Sequence, residues 1–99
     1  MDKQFAQVGT VTVPDPAAAV TVTLGFRPRY VRAFSVNNLA SYEHFYGMSD
    51  GTSLDTANHA DTQISLNAAG SITLTADGFT LGTDICDTAA DVVRWLAIR

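Results

Sequence analysis

Alternation of β-branched and small polar residues runs through most of this chain, and no other feature restricts its fold as strongly. Residues 20–24 read VTVTL and residues 71–75 read SITLT. A period of two places Val20, Val22 and Leu24 on one face and Thr21 and Thr23 on the other, which describes a half-buried strand. Similar segments lie at residues 8–13 (VGTVTV), 30–36 (YVRAFSV), 42–48 (YEHFYGM), 63–66 (QISL) and 79–81 (FTL). Turn chemistry separates them. Pro14 and Pro16 cannot sit inside a central strand, GFRP at residues 25–28 is a bend, and Asn37, Asn38 and Ala40 mark a turn. Asn67-Ala68-Ala69-Gly70 divides two short strands, and Ala76-Asp77-Gly78 reads as a hairpin turn. Residues 49–61 (SDGTSLDTANHAD) form the longest polar stretch and read as a loop without a strand, as do residues 82–91.

The C-terminal segment allows two descriptions. Thr88-Ala89-Ala90-Asp91 before VVRWLAIR has the form of a helix capping box. Alternation instead puts Val93, Trp95 and Ala97 on one face and Val92, Arg94, Leu96 and Ile98 on the other, and a strand buried on much of both faces is preferred. The expected fold is therefore all-β, a small antiparallel β-sandwich or jelly-roll-like barrel of about eight short strands. Residues 1–99 make one domain, with residues 1–13 as a candidate N-terminal arm or strand contacting a neighbouring subunit.

Composition narrows the function classes. Charged residues are 16% of the chain, the only lysine is Lys3, and nine Asp accompany a single Glu. A surface poor in Lys and Glu loses less side-chain entropy on docking, which suits assembly. The net charge of −4 argues against nucleic acid as the main ligand. No apolar run reaches the length of a membrane span, and MDKQFAQVGTVTV has no signal-peptide core. Cys86 is the only cysteine, so neither an internal disulfide nor a thiolate metal cluster is possible within the chain. His44 and His59 lack the spacing of a metal pair. Asp50, Asp55 and Asp61 lack the calcium-loop pattern. No Ser or Cys stands in a nucleophile motif, so no catalytic residue, metal or cofactor is expected and the chain is not read as an enzyme.

Two constellations stand out. Arg27, Arg29 and Arg32 fall within six residues around Tyr30, in an otherwise acidic chain. They are either a solubilising rim laid over aromatic rings or an interface that pairs with partner carboxylates. Tyr42, His44 and Tyr46, with Phe45 between, are either core residues or an aromatic ligand platform.

GFRPRYVRAFSV, YEHFYGM, GFTLGTD and the closing VVRWLAIR resemble, in order, a family of small β proteins encoded among the virion structural genes of tailed bacteriophages. The shared motifs are a GF-x-P-x-Y-V bend and strand, a GFT-[IL]-GTD turn and a Trp-containing last strand, covering residues 20–99. The resemblance implies a capsid decoration (cement) protein, expected as a homotrimer that binds itself and a major capsid protein. Such a protein is made in the host cytoplasm and resides on the virion surface. Under that expectation the interface residues are Arg27, Arg29, Arg32, Tyr30, Phe5, Val8, Val11 and Val13, the last four on the arm. The alternative implied by the same resemblance is a head- or tail-fibre module that holds host glycans on Tyr42, His44 and Tyr46.

Overall fold

The computed structural model describes residues 5–56 and 64–99. It contains β1 (Ala6–Thr12), β2 (Val20–Thr23), β3 (Tyr30–Ser35), β4 (Ala40–Phe45), β5 (Thr52–Thr56), β6 (Ile64–Thr75), β7 (Gly78–Leu81) and β8 (Val92–Ile98). All eight form one sheet in the order β1-β8-β3-β4-β5-β6-β7-β2, and every neighbouring pair is antiparallel. The sheet curls into a barrel-like shape. Phe79 on β7 and Trp95 on β8 belong to strands second from opposite ends of the sheet, yet their rings meet edge-on at 5.2 Å. The expected all-β class is thus the one adopted, as a single curled sheet.

Alternation sets the inner face. Val31, Ala33, Val93, Ala97, Ile72, Leu74, Phe79 and Leu81 are buried together, and Ile85 and Cys86 from the loop before β8 complete the core. At about 25 cal/mol per Å², burial of these side chains is the main favourable term. The C-terminal segment is a strand throughout and pairs with both β1 and β3.

Two expectations about strands are corrected. Residues 52–56 (TSLDT), read as loop, form β5. Its inward residues are polar: Thr52 and Ser53 are buried, and Ser53 Oγ meets Ser71 Oγ at 2.5 Å. A strand whose core side is made of hydroxyls carries no hydrophobic alternation to detect. Conversely, Asn67-Ala68-Ala69-Gly70 does not end a strand. Thr52 pairs with Ile72 while Ser53 pairs with Asn67, so β6 swells into a bulge at this point and continues. Backbone bonds pin the bulge: Ser71 N donates to Gly51 O, Gly82 N to Ser71 O and Asp84 N to Gly70 O. The expected total of about eight strands therefore stands, but one predicted break and one missed strand had offset each other.

Gly78 also has a different role from the one its turn suggested. It lies inside β7, and a Cβ there would stand 1.9 Å from the Val22 carbonyl oxygen. Its missing side chain lets β2 approach β7.

Candidate docking face

The outer face of the sheet follows from the registers. Val8, Leu96, Arg32, Glu43, Leu54 and Leu66 are successive partners across β1, β8, β3, β4, β5 and β6. The adjacent row runs Thr10, Arg94, Phe34, Ser41, Thr56 and Ile64. Side chains two apart on a strand share a face, so these rows form one surface. Val8 is 76% exposed, Ile64 68%, Leu66 64% and Phe34 42%. Val8, Leu96 and Phe34 cluster on β1, β8 and β3, and Leu54, Ile64 and Leu66 on β5 and β6, with Ser41 and Glu43 of β4 between the two groups. Apolar residues clustered on a sheet face suit a binding surface. A groove of about 540 Å³ crosses the β1, β8 and β3 part of this face. Val8, Thr10, Phe34 and Leu96 line it beside the guanidinium-bearing Arg32 and Arg94, with Gly9 and Trp95 between them.

Two of the arginines, Arg32 and Arg94, lie on this face. All five arginines are exposed. Arg29 belongs to the bend before β3, where its N–H donates to Ile98 O and its carbonyl accepts from Tyr46 N. This ties the bend to β8 and β4. Arg27 lies 6.0 Å from the centre of the Tyr46 ring, and Arg99 5.8 Å from that of Phe26. These are cation–π distances, and they lay the stems over aromatic surface. Arg32 shares the outer face with Tyr30 and Phe34, as alternation requires. Its cross-strand neighbour Glu43 accepts a hydrogen bond of 2.5 Å from the Tyr30 hydroxyl. Burial, followed by the hydrogen bond and charge of Glu43, pushes the Tyr30 hydroxyl up to about 12, and Arg32 opposes the shift. Tyr30 is therefore a neutral donor that fixes Glu43.

The carboxylates are held by uncharged donors elsewhere. Asp91 accepts from Ser35, Asp84 from Asn67, and Asp55 from Ser53. Burial raises the Asp55 carboxyl, with a smaller rise from Asp84, while Ser53 and Asn67 pull the other way. Cys86 is buried, and burial followed by Asp87 and Asp91 pushes its thiol up to about 11. At neutral pH it is a thiol, the unreactive form. Among the described residues, no three His, Cys, Asp or Glu side chains converge as a metal site would require. His59 and Asp61 lie outside the described residues.

The predicted site residues divide. Arg27, Arg29 and Arg32 are exposed, Tyr30 is half-buried beside Arg32, and Phe5 and Val8 are exposed at the β1 end of the face. Val11 packs against the core and Val13 is buried in it, so neither is available to a partner. Ala6–Thr12 is a strand of the chain's own sheet, paired with β8 over its whole length, so any contact of residues 1–13 with a neighbouring subunit would be made by a strand already in the sheet. Residues 1–4 lie outside the described residues. The aromatic platform is corrected as well. Tyr42 is 5% exposed and His44 1% exposed, and the His44 Nδ1–H donates to Thr52 O at 2.6 Å. Only Tyr46 reaches the surface, so the three make no shared platform. Sequence reasoning missed Arg94, Leu96, Leu54, Ile64 and Leu66. The alternation in residues 92–98 placed Arg94 and Leu96 together, but nothing local said that β8 lies between β1 and β3.

The sequence matches no protein-family model, no curated protein and no solved structure. The likeness to phage structural proteins therefore rests on the four short motifs alone.

Proposed function

We propose that this protein is a non-enzymatic structural subunit that docks through its outer sheet face onto a repeated protein surface. Its class is that of capsid decoration proteins of tailed bacteriophages, and its partner is a major capsid protein beneath. The observation that carries this reading is the groove in which the exposed Val8 and Phe34 lie beside Arg32 and Arg94. Such a surface fits a partner that is partly apolar and acidic. Apolar area supplies affinity, while the guanidiniums select carboxylates by paired hydrogen bonds and exclude basic surfaces. On a symmetric lattice, modest affinity per contact is enough where copies also bind one another, because linked copies engage several sites at once.

Co-sedimentation tests the proposal. Purified protein is mixed with phage heads that lack it, and bound protein is quantified at increasing salt. Saturable binding that weakens with salt is expected, because exposed charges are screened within about 8–10 Å at physiological salt. Phe34→Glu and Arg94→Glu should each abolish binding without unfolding the domain, since both side chains are exposed. Wild-type protein that ignores the heads and binds a glycan array instead would replace this reading with that of a fibre module.

A further inference from the structure

We infer that β1 is a self-pairing edge, through which two copies of this chain join their sheets about a two-fold axis at Gly9. The argument starts from which backbone groups of β1 are already used. Phe5 O accepts from Arg99 N at 2.7 Å, and Val13 N donates to Asp91 O at 2.8 Å. In an antiparallel ladder the bonded direction alternates residue by residue. Phe5, Gln7, Gly9, Val11 and Val13 therefore point their N–H and C=O groups toward β8. Ala6, Val8, Thr10 and Thr12 point theirs away from the sheet, and β1 is its terminal strand.

This edge lacks the usual protections. Open edges are normally blunted by a lysine, a proline, a bulge or extreme shortness. Residues 5–13 (FAQVGTVTV) contain no charge and no proline. The β1–β8 register runs through seven pairs without a shift. The opposite edge, β2, has four residues and is much shorter.

Among the described residues no backbone bond reaches these outward groups, and their pattern selects a second copy as occupant. An antiparallel pair centred on Gly9 sets Val8 opposite Thr10 of the second copy and Ala6 opposite its Thr12. Each is a pair whose outward groups face one another and exchange two hydrogen bonds. Every outward donor and acceptor from Ala6 to Thr12 is then used, and no like charges meet. Moving the axis to Val8 or Thr10 leaves one end of the strand unpaired, and an axis between residues sets outward groups against inward ones. At the centre, Gly9 meets Gly9, where there is no side chain to obstruct the approach. The outer faces of the two copies become continuous, and the two grooves lie on either side of the join. This arrangement does not depend on what the outer face docks against, and it gives a two-fold dimer where the motif resemblance implied a trimer.

The test is the mass and exchange behaviour of the full chain. Light scattering should give twice the 10.5 kDa chain mass at millimolar concentration, falling toward one chain on dilution. The amides of Val8 and Thr10 should gain hydrogen-exchange protection in parallel with the mass. Thr10→Pro removes an N–H that points outward and leaves the β8 bonds intact. It should give a folded single chain. Thr10→Lys, which keeps the N–H but brings like charges close to the axis, should do the same and serves if the proline unfolds β1. A wild-type chain that stays single, a three-fold assembly, or a dimer that survives both variants with unprotected Val8 and Thr10 amides would overturn the inference.

Discussion

Gly9→Ala isolates one packing contact with almost no other change. A Cβ at Gly9 would stand 2.6 Å from Trp95 Cζ2, 2.9 Å from Cε2 and 3.2 Å from Nε1. These atoms belong to a rigid indole held edge-on against Phe79, so they cannot move aside as the tip of a flexible chain would. Overpacking of this kind costs about 1–3 kcal/mol. Alanine restricts the unfolded chain and returns about 0.4–1 kcal/mol. The net expectation is a loss of about 1–2 kcal/mol, or a fall in Tm of about 5–15 °C for a domain of this size. Urea unfolding at fixed protein concentration reads it directly, because Trp95 is the only tryptophan. Trp95→Phe then removes the obstructing ring, and also a buried Nε1–H that finds no hydrogen-bond partner among the described residues. With the clash gone, far-UV circular dichroism should show the alanine costing little, leaving a coupling of about 1 kcal/mol or more between the two sites. If Gly9→Ala is as stable as the parent, or costs the same with phenylalanine at position 95, the close indole contact is not what keeps glycine there.

Two further outcomes follow from the interior. Cys86 should resist alkylating reagents at pH 8 in the folded protein and react only as urea unfolds the domain, since its thiol is buried and pushed up to about 11; rapid reaction without denaturant would contradict the core placement. Asp55, whose carboxyl is raised by burial, holds its proton more tightly folded than unfolded. Its contribution to stability is therefore present at low pH and lost as pH rises through the raised folded value. Asp55→Asn should flatten that decline in a series of urea melts from pH 3 to pH 7, and an unchanged profile would show that Asp55 is not the group responsible.

The strands with apolar inner faces were legible because a hydrophobic period of two survives in the letters themselves. Val31 and Ala33 in β3, and Val93 and Ala97 in β8, alternate with less buried residues as the pattern requires. β5 was not legible, because Thr52 and Ser53 face the interior as hydrogen-bonded hydroxyls. The aromatic run at residues 42–46 was misleading for a related reason: alternation states that Tyr42, His44 and Tyr46 share a side, but not that the side is the core. His44 is tolerated there because Thr52 supplies a carbonyl acceptor from a strand whose existence the pattern concealed. Residues 1–13 did not say which sheet they join, because a β-branched segment pairs equally well with its own sheet or a neighbour's; the position of β8 puts Ala6–Thr12 in the chain's own sheet.

Local periodicity determined that this protein is a β domain, and it determined which residues in most strands oppose one another across the pleat. Tertiary structure decided the order of the strands, and with it the surface. Val8, Arg94 and Phe34 come from three distant parts of the chain and line one groove only because β1, β8 and β3 are adjacent. Strand order depends on which long-range pairings bury the most apolar area and satisfy the most backbone groups together, a sum over the whole sheet that no single segment encodes.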